Sequence, residues 1–421
     1  MQRKSARISR TSRTVRIYCA SLAIFAVAAA FLIASNAPAT AACGGTLPPC
    51  TGATSLFFQN LGNNGRQVSQ VSLTGVEQQI WSIEDRLQCM IGSDGRSYCE
   101  RRSAPTRWSN AFTEEAPAPE DPTIDSAFAA LGYSANGDQK SPIVVKSPPP
   151  APQPAQNPVS FSAWGQGSVD YQNRSGTFAG VSIGSNTMTA TGVFGADATL
   201  LNPTSASDAL VFGLFTADTT AQVHNADASV ARINGPSVGA YGAYVNGAFS
   251  MDGTFKTDFL NVGDVTLGGE FPFGLDNYAA VGNVKLKQDF GSWWFEPTAG
   301  FTYTRTMWDG ASRAFGMNDG YDWRVQGGAR IGSGFEWGGI HFDEKLTLLA
   351  YDDVTIAGGT LAVVTGTPLT PSEEGKIFGQ AIGTIEAQLT RNWLVSVEGE
   401  YRGSTDIYGL AGRVVATYSF N

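Results

Sequence analysis

Histidine is nearly absent from this chain, with only His224 and His341 among 421 residues. Zinc sites and nucleophile–base pairs commonly depend on histidine, and two isolated histidines form neither a cluster nor a spaced ligand motif. Gly180–Gly184 matches the Gly-x-Ser-x-Gly nucleophile pattern, but that pattern has meaning only on a strand-to-helix turn. The sequence therefore predicts no enzymatic activity, no metal ion and no cofactor.

Long apolar runs are absent after residue 42, which excludes transmembrane helices from the remainder of the chain. Residues 1–42 have the form of a secretory signal peptide, with a basic stretch, an apolar core over Ile17–Ala34 and a small-residue cleavage site. An uncleaved anchor is the alternative, because this core is near the length that spans a bilayer. The exported chain can therefore enter a membrane only as a barrel of strands.

Basic residues are scarce once the signal peptide is set aside. Residues 1–42 hold six of the 28 basic residues and none of the 37 acidic ones, so the rest carries 22 against 37, a net charge of −15. Such an acidic chain is repelled by nucleic acid and by anionic lipid surfaces. The charge predicts no nucleic-acid partner.

Cysteine is also sparse, and Cys19 leaves with the signal peptide. Four cysteines remain, Cys43, Cys50, Cys89 and Cys99. Their short separations predict two local disulfides in an oxidising compartment, and three connectivities are open. Cys43 directly follows Ala42, as in a lipoprotein, but Thr40 stands where lipoprotein signals usually have leucine.

A short N-terminal segment is predicted over residues 43–140, with one helix over residues 67–90. Its apolar residues recur at alternating steps of three and four, namely Leu73, Val76, Ile80, Ile83 and Leu87. We favour an amphipathic helix packed within a small domain of its own. Self-association through these five residues and insertion into a barrel lumen are the alternatives.

A proline-rich linker over residues 141–158 separates this segment from a strand-rich C-terminal domain, residues 159–421. About twelve segments of strand length follow, near residues 159–172, 187–199, 208–217, 236–246, 247–260, 276–290, 292–305, 320–335, 338–351, 375–389, 392–403 and 407–420. An even number of such strands suits a closed transmembrane barrel, in which every backbone amide is paired. A soluble β-sandwich is the alternative.

Most of these segments alternate between an apolar face and a polar face. In the last strand, the face from Tyr408 to Phe420 is apolar with an aromatic ring at each end. The predicted lipid-facing and interface residues are Tyr278, Trp323, Trp393, Tyr401, Tyr408, Tyr418 and Phe420. The predicted lumen-lining residues, in a solvated lumen, are Lys285, Lys287, Glu296, Arg324, Arg330, Glu398, Glu400, Arg402 and Arg413. Glu344 falls on the apolar face, and Leu210–Phe215 is apolar on both faces.

The domain order and several strand segments resemble the autotransporters of type V secretion, in the style of alphaproteobacteria. The segments that carry this resemblance are Asp208–Leu214, Gly239–Gly247, Trp294–Phe301 and Gly399–Arg402. The resemblance implies an all-β fold, with a C-terminal antiparallel up-and-down barrel of about twelve strands in the outer membrane. It also implies a lumen wide enough for one helix, and export of the chain's own N-terminal segment.

The sequence thus predicts an outer-membrane translocator whose partners are the outer-membrane lipids and, through the C-terminal strand, the outer-membrane insertion machinery. Its N-terminal segment, partly helical and disulfide-bearing, would lie outside the cell or within the lumen. A surface-anchored adhesion protein, with the barrel only as anchor, and a porin-like channel are the alternative functions.

Overall fold

The structure, a computed structural model, describes residues 53–90, 159–175, 177–178, 181–182, 184–205, 207–226, 228–264, 273–314, 318–357 and 376–420. The predicted signal peptide, the proline-rich linker and most of the N-terminal segment lie outside these residues. Cys43, Cys50 and Cys99 also lie outside them, and only the backbone of Cys89 is described. Signal cleavage, the disulfides, the domain boundaries and lipid attachment therefore stay predictions.

The described residues contain twelve long strands, and each corresponds to one of the strand segments predicted from the sequence. They are β1 (Val159–Arg174), β2 (Ser185–Leu201), β3 (Asp208–Asn225), β4 (Val230–Asn246), β5 (Phe249–Asp264), β6 (Phe273–Leu286), β7 (Trp293–Trp308), β8 (Gly320–Trp337), β9 (Ile340–Ala357), β10 (Ile377–Gln388), β11 (Trp393–Gly403) and β12 (Ile407–Phe420). Three two-residue strands lie in connections, at Thr177–Phe178, Val181–Ser182 and Gln288–Asp289.

Each long strand pairs antiparallel with the next one along the chain, and β12 pairs with β1. In the closing pair, Phe161 stands opposite Phe420 and Arg174 stands opposite Ile407. Closure gives every one of these strands two hydrogen-bonded neighbours, as a wall surrounded by lipid requires. The prediction of an all-β, antiparallel up-and-down barrel of twelve strands is confirmed.

The two ends of the barrel differ in their connections. At the end where Val159 and Phe420 lie, which we call the turn end, successive strands are joined by two to six residues. At the opposite end, the loop end, the connections range from three to nineteen residues and include the short helix α2 (Gly310–Ala314).

A long helix, α1 (Ala53–Met90), runs through the lumen from the loop end to the turn end. Near the loop end, Thr187 donates a hydrogen bond to Asn64 at 3.5 Å. Near the turn end, the carboxylate of Asp85 lies 3.4 Å from the ammonium of Lys287, one residue beyond β6. The expectation of a helix within its own small domain is therefore wrong for the part that the structure describes.

This helix is also longer than the predicted residues 67–90, and it begins at Ala53. Glycines and asparagines before Gln67 have low helix propensity, which is why the sequence pattern placed the start too late. A Cβ on Gly65 would lie 2.3 Å from the side chain of Leu275 on β6, so glycine allows a close approach to the wall. Packing inside the barrel thus extends the helix against its local propensity.

Candidate functional site: the occupied barrel lumen

Much of the outward face of the barrel is apolar, and this face carries the predicted interface aromatics. Trp323, Trp393, Tyr401, Tyr408 and Phe420 are 42 to 55% exposed, and Tyr278 and Tyr418 lie on the same face. At the turn end, the ring of Tyr418 lies 5.1 Å from Trp393 and 4.9 Å from Phe420, centroid to centroid. Aromatic rings that border an apolar band are typical of strands that contact acyl chains.

Glu344 is a polar residue on the apolar face of β9, and its position has a simple explanation. It is exposed close to the start of β9 at the turn end, where Ser333 donates a hydrogen bond to it at 2.8 Å. The register shift in the β8–β9 pair lies at Trp323 and Arg324, far from Glu344. This carboxylate therefore lies near the end of the apolar band, without any change of register.

The inward face holds all nine predicted lumen residues, and most of them are buried in ion pairs instead of facing open solvent. Arg413 pairs with Glu398 at 3.3 Å and also with Glu400. The guanidinium of Arg402 lies 2.6 Å from Asp170, on the far side of the β12–β1 closure. Arg324 similarly lies 2.6 Å from Asp353. The expectation of a solvated lumen is wrong for these groups, since their charges are neutralised by one another.

One side of α1 packs on an apolar strip of the lumen wall. Val76, Ile80, Ile83 and Leu87 share a buried core with wall residues, including Trp164, Val211, Phe215 and Tyr241. Leu73 packs against Ala279 and Val281 of β6. All five apolar residues proposed for self-association therefore contact the barrel of the same chain.

This contact also accounts for Leu210–Phe215, which is apolar on both faces. Phe212 and Leu214 point outward and are 62 and 69% exposed, whereas Val211 and Phe215 point inward against α1. The strand therefore has lipid on one side and a helix on the other. Both environments favour apolar side chains.

An ionic cluster joins the C-terminal half of α1 to the turn end of the barrel. Glu84 pairs with Lys285, which also lies 2.7 Å from Asp252. Asp85 lies 2.7 Å from Arg330 and 2.8 Å from Lys345. The outer members are Lys287 beside Asp85, Glu296 beside Arg330, and Glu386 beside Lys345.

The indole of Trp81, fully buried on α1, lies within this cluster. Its ring centroid is 4.9 Å from the Lys285 ammonium and 5.1 Å from the Arg330 guanidinium. Its N–H donates to Asp252 at 3.2 Å. Cation–π contacts of this kind gain strength where water is excluded, so the ring reinforces the charge pairs around it.

Further polar contacts hold the middle of α1. The ammonium of Lys256 donates to the carbonyl of Ser69 at 2.8 Å and also bonds the hydroxyl of Ser72. Asn283 and Gln326 donate to Glu77 at 2.8 and 2.9 Å. The helix thus has polar as well as apolar complementarity to the wall along its described side chains.

The helix lies off-centre in the lumen, against β1 to β6. A cavity of about 50 Å³ remains on the other side, between α1 and β7 to β11. Its lining is mostly polar and includes Gln70, Gln326, Arg324, Asp353 and Arg402. Such a space suits a few water molecules and is far smaller than an open pore.

Several functional residues escaped the sequence reasoning, among them Asp252, Lys256, Asp258, Lys345 and Glu386 of the wall and Glu77, Glu84 and Asp85 of α1. The alternation of β5 already placed Asp252, Lys256 and Asp258 on the polar face. No pattern in the sequence could pair them with α1, because the partners lie more than 150 residues apart in the chain.

The Gly-x-Ser-x-Gly segment has no catalytic context among the described residues. Val181–Ser182 pairs with Thr177–Phe178 as a two-residue hairpin near the loop end, not as a strand-to-helix turn. In the described part of the chain, no three His, Cys, Asp or Glu side chains are grouped as a metal site needs. Among the described helices, none is long and apolar enough to cross a membrane.

Comparison with known proteins agrees with this geometry. The sequence profile of the autotransporter β-domain matches residues 163–400, more than half of the chain. The chain therefore belongs to the autotransporter β-domain family, and it is an outer-membrane translocator barrel of the Gram-negative type. A comparison with curated protein sequences finds no match.

Solved structures of autotransporter barrels are similar to this chain. The β domain of Bordetella BrkA shares 13% identity, with a TM-score of 0.48 over 61% of this chain and 98% of that one. The AIDA-I transport unit of Escherichia coli shares 14% identity, with a TM-score of 0.46 over 62% and 90%. The NalP translocator domain of Neisseria meningitidis shares 10%, with a TM-score of 0.41 over 71% and 95%.

The family assignment orients the barrel. Outer-membrane barrels have short periplasmic turns and longer extracellular loops. The turn end of this barrel therefore faces the periplasm, and the loop end faces the cell exterior. With this orientation, the N-terminal end of α1 lies at the extracellular end of the lumen and its C-terminal end lies at the periplasmic end.

Proposed function

We propose that this translocator displays only the residues that precede α1, and that it retains α1 as a permanent plug of its lumen. The observation that carries the proposal is the direction of α1 together with its buried contacts at both ends. Asn64 lies near the loop end, whereas Asp85 lies in the ionic cluster at the turn end. A helix held in this way has its N-terminus at the cell surface.

The displayed segment would be short. If the signal peptide ends at residue 42, about ten exported residues precede Ala53, and two of them are Cys43 and Cys50. Residues 91–158 connect Met90 to Val159, and α1 ends at the same end of the barrel at which β1 begins. We therefore place residues 91–158 on the periplasmic side, instead of displaying the whole segment 43–140.

The contacts of α1 support retention over release. Its described side chains from Asn64 to Leu87 are mostly buried, and three of its carboxylates have partners on the wall. Extraction of the helix would leave Lys285 and Lys345 with fewer counter-charges in a buried lumen, which is costly. This occupancy also makes the porin-like alternative the weaker one.

The insertion machinery of the outer membrane would recognise β12, whose outward face ends in Tyr418 and Phe420. Catalysis has no part in the proposed function, because display needs only a closed wall, a guided chain and a plug. An adhesive function would require the few residues before α1 or the extracellular loops to bind a partner.

An epitope tag placed at two positions tests the topology. Inserted between Thr46 and Leu47, the tag should bind antibody on intact cells. Inserted between Asp121 and Pro122, it should bind only after the outer membrane is permeabilised. Surface staining of the second tag would overturn the retention of residues 91–158 in the periplasm.

A gel assay is the control for assembly, because a folded barrel migrates differently before and after boiling in detergent. Both tagged chains must show this shift to be compared. A chain that fractionates as a soluble periplasmic protein would contradict the outer-membrane placement itself.

A further inference from the structure

The outward face of the barrel wall changes from apolar to polar part-way along β3 to β6. In the half nearest the turn end, these strands are apolar outside, as transmembrane strands are. Their inward side chains in this half are polar on β5 and β6, whereas on β3 and β4 they pack as an apolar core on α1. In the half nearest the loop end, the outward side chains are mostly polar and a group of apolar side chains faces inward.

The turn-end half has the membrane pattern. Outward Phe212 and Leu214 on β3, Phe255 on β5 and Val284 on β6 are 49 to 69% exposed. Inward residues on β5 and β6 are polar, including Thr254, Lys256, Asn283 and Lys285, and all are buried in the lumen.

The loop-end half has the reverse pattern. Polar outward residues in this half are Thr216, Asp218, Thr220 and Gln222 on β3, Arg232 and Asn234 on β4, Asn261 on β5 and Asp276 on β6, and Phe259 of β5 is an apolar exception. Inward Val223, Ile233, Val262 and Leu275 are at most 1% exposed. This is the pattern of a soluble sheet with one wet face and one face on a core.

The inward residues of this half form one apolar core with α1. Val68 of the helix packs with Val223, Ile233, Leu260, Val262, Phe273, Leu275 and Trp308. Hydrocarbon outside these strands would leave the polar outward side chains without water, which is unfavourable. With water on the outward side, the polar outward side chains are solvated and the apolar inward side chains stay buried against α1.

The outward face of β4 changes from apolar to polar at Gly235 and Pro236. Pro236 has no N–H to donate, and Gly235 and Pro236 have no partner in the otherwise regular β4–β5 register. A Cβ on Gly235 would lie 2.0 Å from the carbonyl oxygen of Phe259, so only glycine fits there. On the turn-end side of this point Val238 and Ala240 face outward, and on the loop-end side Asn234 and Arg232 face outward.

We propose that the loop-end halves of β3 to β6 stand clear of the acyl chains as a water-exposed crown folded around the N-terminal half of α1. On β3 the crown comprises Thr216–Asn225, about ten residues, which at roughly 3.4 Å per residue and a tilt near 40° rise about 25 Å above the apolar band. The translocator thus has a folded surface part of its own, separate from any exported segment.

The crown occupies one side of the barrel. On β8, outward Tyr321, Trp323 and Val325 remain apolar up to the loop end, and on β12 Tyr408 and Leu410 do the same. The lipid therefore contacts nearly the whole length of β8 and β12 but only the turn-end part of β3 and β4. This asymmetry provides internal controls.

Single cysteines report which positions meet water. Thr220→Cys and Asn234→Cys test the crown, and Leu214→Cys and Ala240→Cys test the apolar band of the same two strands. Val325→Cys on β8 is the control on the opposite wall. Intact cells are treated with a charged, membrane-impermeant maleimide, and labelled peptides are identified by mass spectrometry so that the native cysteines are told apart.

The crown positions should label at least about tenfold faster than the band positions and Val325→Cys. Equally slow labelling of all five would place the loop-end halves in lipid and overturn the proposal. Equally fast labelling of Leu214→Cys and Ala240→Cys would overturn it as well, because the apolar band would then not mark the lipid boundary.

A second pair of variants tests the same proposal by a different measurement, in case the cysteine variants fold poorly. Thr220→Arg should leave the yield of heat-shifting barrel in the outer membrane within about twofold of the unchanged chain. Leu214→Arg should lower that yield at least about tenfold, because it places a charge in the acyl-chain region. Equal losses for both variants would contradict a crown in water.

Discussion

Asp85 of α1 lies 2.7 Å from Arg330 of β8, in the buried lumen near the periplasmic end. The same carboxylate lies 2.8 Å from Lys345 of β9 and 3.4 Å from Lys287 beyond β6. One helix residue therefore neutralises cations from three separate parts of the wall.

Asp85→Ala should destabilise the folded protein by about 3–5 kcal/mol, because it leaves Arg330, Lys345 and Lys287 buried with fewer counter-charges. Denaturant unfolding in detergent, followed by the heat-shift gel, measures the change in free energy. Lys376→Ala is the matched control, since its 2.6 Å pair with Asp406 is substantially exposed at the loop end and should contribute no more than about 1 kcal/mol. Equal effects of the two variants would argue against a helix held by charge.

Deletion of residues 53–90 should open the lumen. The full chain should show little conductance in planar bilayers, since α1 packs on the lumen wall and the cavity between it and β7 to β11 measures about 50 Å³. The deletion variant should show large and stable single channels. Identical currents before and after deletion would mean that α1 does not block the lumen, and the porin-like function would gain support.

Ile233→Ala should cost about 2–5 kcal/mol, because Ile233 is fully buried in the core around Val68. Val238→Ala on the outward face of the same strand should cost less than about 1 kcal/mol, because Val238 is 52% exposed and packs on little protein. The two unfolding midpoints are compared in one detergent. The opposite ranking would contradict an apolar core at the loop end.

Phe420→Ala should reduce the fraction of chain assembled in the outer membrane several-fold. Its ring is 55% exposed at the turn end, where it packs on Tyr418 and marks the end of the outward apolar face. Tyr408→Ala, at the other end of β12, should have a smaller effect on assembly. Quantified heat-shifted bands from membrane fractions check both, and equal yields would argue against a recognition role for the last residues.

The disulfides should be Cys43–Cys50 and Cys89–Cys99. From Ala53 to Cys89 the helix spans about 54 Å, and the ten residues from Cys43 to Ala53 reach at most about 36 Å. Neither Cys43 nor Cys50 can then approach Cys89 within the roughly 7 Å between Cα atoms that a disulfide allows. Peptide mapping without reduction checks the pairing, and a Cys50–Cys89 peptide would exclude the continuous helix.

The barrel was predictable from sequence because a strand of a transmembrane wall must satisfy a local rule. Each outward residue meets lipid and each inward residue meets a polar lumen, so alternation such as that from Tyr408 to Phe420 reports the fold without knowledge of any partner. Most of the twelve segments and their faces followed from this rule. The nine lumen residues and seven outward aromatics lie on the faces where the alternation put them.

The sequence-based bounds failed where that rule was broken. The pattern ended β3 at residue 217 and began β4 at residue 236, whereas the strands reach Asn225 and begin at Val230. The missing residues belong to the crown, where the apolar face turns inward onto α1. When the outward face of a strand passes from lipid to water half-way along, a single pattern of alternating polarity cannot predict where the strand ends.

The sequence by itself determined the number of strands, the face of most strand side chains and the apolar stripe of α1, since these depend on neighbours one to four residues away. Only the tertiary structure decided where that stripe is buried and what neutralises Glu84 and Asp85. Their partners Lys285 and Lys345 lie 200 or more residues away in the chain. Periodicity shows that a helix needs an apolar partner, but only closure of the barrel brings the wall around it.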